Sequence, residues 1–232
     1  MVSIDGKKKE FLGSLYRNGR LWVEKGSELV RWDHDFPFLA KGKVSPFGIY
    51  DLFANSGFMV LGEGSESPRF VTDSLALWWR YRGRYDYAEA EELLVLADCG
   101  GGCSYRCHRL KQQLQKLCDR IDLRIRVAHF PPGCSKWNYI EHRLFPYITR
   151  AMQGTVFEHP LQMAQLMERA TTKNGLRVRA YYLPGDYPPG EKAGEEYFEC
   201  LPAIHDSVLP DLNYTFLPRA QWKDWENLAV SN

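Results

Sequence analysis

The sequence predicts an α/β fold, a mixed sheet flanked by helices with a C-terminal extension, on three observations. Two apolar runs, GIYDLF (48–53) and FMVLGE (58–63), flank the turn ANSG (54–57), the pattern of an antiparallel hairpin. ELLVLAD (92–98) is a continuous apolar run ending in an acid, as expected of a strand buried on both faces. Beyond it, segments of helical spacing alternate with apolar strands, the arrangement of α/β units.

The chain opens with a short strand, MVSID, that runs through a lysine cluster into a second apolar patch, FLGSLY. Asn18 to Ser45 is polar and turn-rich, and the hairpin follows it. Phe70, Val71, Ser74, Leu75, Leu77 and Trp78 recur at helical spacing and predict a helix over 70–81 packed on the sheet. ELLVLAD then takes the central position. The glycine-rich turn CGGG (99–102) leads into a helix over 105–121, and LRIRVAHF (123–130) is the next strand. After the turn PPG (131–133) a helix is expected with Ser135 as its N-cap. Trp137, Ile140, Leu144 and Ile148 would bury one stripe of it, with Glu141 flanking that stripe. Pro146 should bend or end its first part, because proline has no N–H to bond to His142. A last helix, 161–171, leads into a Pro/Gly-rich tail, so the expected division is a core over 1–156 and an extension over 157–232.

Composition narrows the function classes. With 30 Lys plus Arg against 29 Asp plus Glu, the net charge of +1 points to no polyanionic partner overall. The distribution is more specific: from Arg106 to Arg150 there are ten basic residues and three acids. A solvated helix face explains many such runs, and a phosphate-facing surface is the functional alternative. Six cysteines without a small secreted framework are expected to be reduced thiols. MVSIDGKKKE has no apolar signal core, and no window approaches the ~20 apolar residues of a membrane span, so a cytoplasmic location is expected.

Three acids stand out by placement. Asp5 lies on the opening strand, Asp98 at the carboxyl end of the central strand, and Glu141 within the first two turns of the helix after the last strand. Ligand sites of α/β sheets form beside the carboxyl ends of strands. Converging carboxylates repel one another unless a cation joins them, and oxygen-only ligands select Mg²⁺ or Mn²⁺. Two such ions about 4 Å apart suit phosphoryl transfer.

The runs IDGKKKEFLG, HDFPFLAKGKVSPFGIYDL, LLVLADCGGG with the basic helix behind it, GCSKWNYIEHRLFPYITRAMQG and LNYTFLP together resemble the Rhodopirellula-type insertion-sequence transposases. NxIE after a serine is also similar to the mariner-like transposases. The resemblance spans nearly the whole chain in order. It implies a ribonuclease-H-like core of the DDE superfamily, with Asp5, Asp98 and Glu141 as the triad holding two Mg²⁺ or Mn²⁺ ions. It further implies cleavage and strand transfer at transposon ends, a homo-oligomeric synaptic complex, and a nucleoid-associated bacterial protein. Such transposases carry a DNA-binding region ahead of the first acid, whereas Met1 is four residues before Asp5, so that region is expected to be lacking. Two further departures concern the site: Gly100 to Cys103 reads Gly-Gly-Gly-Cys where the family tends to Gly-Gly-Ser-Asn, and Tyr139 stands where a proline usually precedes IE.

Other residues carry weaker expectations. Lys7 and Lys9 on the lysine run, Arg106 and Lys136 on the basic segment, and His142 beside Glu141 are candidates for DNA phosphates, against edge-strand protection and plain surface charge as the simpler roles. Cys99, Cys103, Cys107, His108 and Cys134 could be gathered by zinc, but the spacing has no CxxC pair and incidental thiols are the simpler reading. A cysteine hydrolase using Cys99 or Cys134 with His129 rests on chance pairing. Trp22, Trp78, Trp79 and Trp137 read as core, and Asp33, Asp35 and Asp51 as spare acids near turns or a strand. The alternative function is an inactive transposase remnant that only binds DNA or a protein.

Overall fold

The computed structural model describes residues 1–20, 23–27, 37–194 and 203–219. Trp22, Asp33, Asp35 and the sixth cysteine, Cys200, lie outside the described residues. In chain order the strands are β1 (Val2–Gly6), β2 (Glu10–Leu12), β3 (Gly42–Asp51), β4 (Ser56–Gly62), β5 (Glu92–Ala97), β6 (Arg124–His129), β7 (Arg177–Tyr182), β8 (Ile204–His205) and β9 (Asn213–Phe216). The helices are α1 (Pro68–Trp78), α2 (Arg84–Asp86), α3 (His108–Ile121), α4 (Tyr139–Arg143), α5 (Phe145–Ala151) and α6 (Pro160–Met167).

These elements form two compact units. The first comprises Met1–Ile4, Glu66–Asn138 and the described residues from Pro189 onward. Its strands run β1-β5-β6-β9-β8, parallel from β1 to β6 and antiparallel after it. β5 is therefore interior, as its apolar run requires. Leu93, Val95 and Ala97 are buried while Leu94 and Leu96 are half-buried, so one face is closed and the other partly covered. α1 begins where Ser67 accepts the N–H of Phe70, with Pro68 in the first turn. It buries Phe70, Val71, Leu75 and Trp78, then passes through a π turn, Trp79–Gly83, into α2. α3 starts three residues later than expected, because Gly101–Cys103 form a separate 3₁₀ turn. It buries Leu110, Leu114, Leu117 and Cys118 along one face.

The second unit comprises Asp5–Ser65 and Tyr139–Pro188. The hairpin β3–β4 is antiparallel with turn residues at 52–55, β2 joins β3 antiparallel, and β7 joins β4 in parallel. The sequence predicts one helix and a Pro/Gly-rich tail beyond 157, yet β7 lies there. RVRAYY alternates too weakly to declare itself, and β4 supplies its pairing partner. Helices α4, α5 and α6 cover the hairpin, with Ile140, Leu144 and Ile148 fully buried. Close approach needs glycine here. A Cβ on Gly48 would stand 2.6 Å from Phe145 Cε1, and one on Gly57 would stand 2.4 Å from Leu144 Cδ1. Leu144 breaks the helix between α4 and α5, and Pro146 opens the second piece, as its missing N–H demands.

Two expectations for this region are corrected. Ser135 is not the N-cap of a long helix; Ser135–Trp137 form a 3₁₀ turn and α4 starts at Tyr139. Trp137 is consequently out of register with the buried stripe and 65% exposed. Trp78 is core as expected, and Trp79 is half-buried. The lysine run is loop rather than strand, since β1 ends at Gly6. Among the described residues no helix is long and apolar enough to cross a membrane.

Candidate active site

The parallel ladder of β1 and β5 has Ile4 opposite Ala97, and the next residue of each strand is an aspartate. Asp5 is 9% exposed and its Oδ1 accepts the N–H of Gly6 at 2.7 Å. Asp98 is half-buried and its Oδ1 accepts the N–H of Gly100 at 3.0 Å. Each carboxylate is thus oriented by a backbone amide, one at the last residue of β1 and the other just beyond β5. Gly102 belongs to the turn that follows Asp98; a Cβ there would lie 2.4 Å from the carbonyl oxygen of Glu66, so the turn is held tight by bare backbone.

Glu141 is on α4, half-buried. The residue that anchors the start of that helix is one the sequence reading passed over. Asn138 is fully buried; its Nδ2 donates to the carbonyl of Ile4 at 3.0 Å, and its Oδ1 accepts from the Ser3 hydroxyl. One side chain therefore ties the residue just before α4 to the residue just before Asp5. The signal was present in NYIE: a lone amide beside an apolar stripe that has to be satisfied somewhere.

Among the described residues no three His, Cys, Asp or Glu side chains stand together as a group that could hold a metal ion. The donor chemistry of Asp5, Asp98 and Glu141 nonetheless fits Mg²⁺ or Mn²⁺, because all are hard carboxylate oxygens and two are pre-oriented by amides.

The candidate phosphate contacts differ in availability. Lys7 is largely buried and bonds Glu10 at 2.9 Å, so its charge is already matched, while Lys9 is exposed. Arg106 is exposed with its guanidinium 5.2 Å from the Tyr105 ring centre, and Lys136 is exposed 5.4 Å from that of Trp137. His142 is exposed on α4. Along the basic segment, Arg109 pairs with Glu191, Arg124 with Glu91 and Arg126 with Asp206, so part of that charge excess is spent within the first unit.

His129 ends β6 and is buried behind the second acid. Its Nδ1 is 2.9 Å from the carbonyl oxygen of Asp98 and its Nε2 is 2.7 Å from the Tyr214 hydroxyl. A carbonyl only accepts, so Nδ1 carries the proton and Nε2 accepts from tyrosine. Burial pushes His129 below its ordinary range, with Lys111 adding to that and the Asp98 carbonyl and charge opposing it. Both ring nitrogens are occupied, and burial, then Asp98, pushes the Cys99 thiol up, its Sγ donating to Phe130 O. That thiol is a poor nucleophile, which disfavours the hydrolase reading.

The neutral His129 has a consequence for stability. As pH falls through about 6.5, the unfolded chain takes up a proton that the folded ring refuses, so stability is complete above that pH and declines below it. The melting temperature is expected to fall between pH 7 and pH 5, and His129→Gln should flatten that slope. Equal slopes in the two proteins would assign the acid sensitivity to other groups.

Asp51, one of the spare acids, is 2% exposed and accepts the N–H groups of Phe53 and Ala54, a turn role. No curated protein and no solved structure matches the chain. The family model of the Rhodopirellula transposase DDE domain matches residues 1–218, and the mixed α/β architecture agrees with a ribonuclease-H-like DDE core. With a match over that span, the chain belongs to the Rhodopirellula transposase DDE domain family.

Proposed function

We propose that this chain carries out divalent-metal-dependent cleavage and strand transfer of DNA at transposon ends, with Asp5, Asp98 and Glu141 as its metal-holding acids. The observation that carries the reading is the double hydrogen bond of Asn138, which fixes the approach to Glu141 against the backbone leading to Asp5. The ladder rung of Ile4 with Ala97 sets side by side the residues that precede Asp5 and Asp98 in the chain. Two Mg²⁺ or Mn²⁺ ions bound by such acids supply activation of the attacking oxygen and stabilisation of the leaving one. The chain's own part is orientation: Gly6 and Gly100 amides hold the two aspartates, and Asn138 holds the start of α4. Lys9, Arg106, Lys136 and His142 are side chains for DNA phosphates, which position the strand without reading bases. Work on two DNA ends calls for a homo-oligomer, and the cytoplasmic nucleoid is where such DNA is met.

The second reading, a non-catalytic remnant that binds DNA or a protein, is favoured by the all-glycine turn after Asp98, which offers no polar side chain at Gly100 to Gly102. Metal binding separates the two. Mn²⁺ at a hundredfold excess over its Kd stabilises by about 2.7 kcal/mol, or roughly 5–10 °C in melting temperature for a chain of this size. Asp98→Asn should remove that gain. If wild type and variant melt alike with and without Mn²⁺, the remnant reading replaces the catalytic one.

A further inference from the structure

The second unit contains a cavity of about 660 Å³, within the range of small-molecule sites. One wall is a face of α4 and α5 that presents Glu141, Phe145 and Thr149; the other is loop, with Lys8, Lys9 and Tyr16. Leu15, Phe145 and Met152 in the lining are nearly fully buried and make its apolar base. Tyr16 is 48% exposed at the rim, its ring available although its hydroxyl bonds Asn18. Four cationic side chains, Lys7, Lys8, Lys9 and Arg17, line the cavity against two carboxylates, Glu10 and Glu141. Glu10 holds Lys7 and Arg17, which leaves Lys8 and Lys9 exposed and with no ion pair among the described residues.

An apolar base, an exposed aromatic ring and unmatched ammonium groups are complementary to a nucleobase joined to a phosphate. We infer that this cavity receives one unpaired nucleotide of a DNA strand, its base against Tyr16 and Phe145 and its phosphate at Lys8 and Lys9. Taking DNA as the source rests on the function proposed above. A duplex, whose major groove alone is about 12 Å wide, is too broad to enter, so the nucleotide has to leave the stack first. Glu141 in the same wall puts the next phosphodiester beside a proposed catalytic acid.

The test is fluorescence anisotropy of the full chain in EDTA, where no divalent ion can bridge the acids to DNA. The probes are a ten-nucleotide single strand, the same sequence as duplex, and a free deoxynucleoside monophosphate. The single strand is expected to bind at least tenfold tighter than either of the others. Thr149→Trp, which pushes an indole into the cavity from an exposed position of α5, should erase that preference with an unchanged melting temperature. Tyr16→Ala, at an exposed loop position, should weaken single-strand binding by about tenfold through loss of one stacked base. Equal binding of strand and duplex, tighter binding of the monophosphate, or a preference that survives both substitutions would overturn the inference. Single-strand preference without Mn²⁺ stabilisation keeps the cavity and removes the catalytic reading; the reverse result removes only the cavity.

Discussion

Asp98→Asn is expected to slow Mn²⁺-dependent nicking of a transposon-end duplex by on the order of a thousandfold, about 4 kcal/mol of transition-state stabilisation. The substitution keeps the shape of the side chain, and its amide oxygen can still accept the Gly100 N–H that now orients Oδ1. What it removes is the charge and one hard oxygen, the two properties a divalent cation uses. Asp5→Asn and Glu141→Gln should fall in the same range, and all three should melt like wild type in EDTA. Single-turnover nicking separates loss of chemistry from loss of DNA binding, since the phosphate-facing side chains are untouched. Should Asp98→Asn cut within tenfold of wild type, the assignment of the second acid is wrong.

Asn138→Ala should be the most damaging truncation of an uncharged side chain near the site. It removes the side-chain donor to the Ile4 carbonyl and the amide acceptor of the Ser3 hydroxyl, both in fully or nearly fully buried surroundings. Losing two buried hydrogen bonds costs about 0.5–1.5 kcal/mol each, so a loss of roughly 1–3 kcal/mol and a melting temperature lower by about 2–12 °C are expected. Asn138→Asp should be no better, because a carboxylate oxygen would then face the Ile4 carbonyl. A double-mutant cycle with Ser3→Ala isolates the pair: the two losses should fail to add by about 1 kcal/mol. Additive losses would show that the hydroxyl and the amide are not coupled, and that the tie between β1 and the start of α4 is weaker than its geometry.

The sequence by itself determined much of this protein. Apolar periodicity reports which face of an element is buried, and that is enough for β4, β5, β6, α1 and most of α3, all near their expected limits, whereas β3 begins at Gly42, six residues before the expected run and inside the polar, turn-rich stretch. The family was legible too, because its motifs run in order along the chain and the family match covers residues 1–218. Asp98 could be singled out because it ends an apolar run, and Ile140, Leu144 and Ile148 because they share one helical stripe. Tertiary structure decided what depends on distant partners. Trp137 fits the helical period, yet a 3₁₀ turn leaves it 65% exposed, since Asn138 next to it is drawn into bonds with Ser3 and Ile4. β7 exists because β4 offers a parallel edge, and β9 because β6 offers an antiparallel one. Periodicity is a local property of the chain, whereas strand partners and buried hydrogen bonds are chosen between residues far apart in it, and no local pattern records that choice.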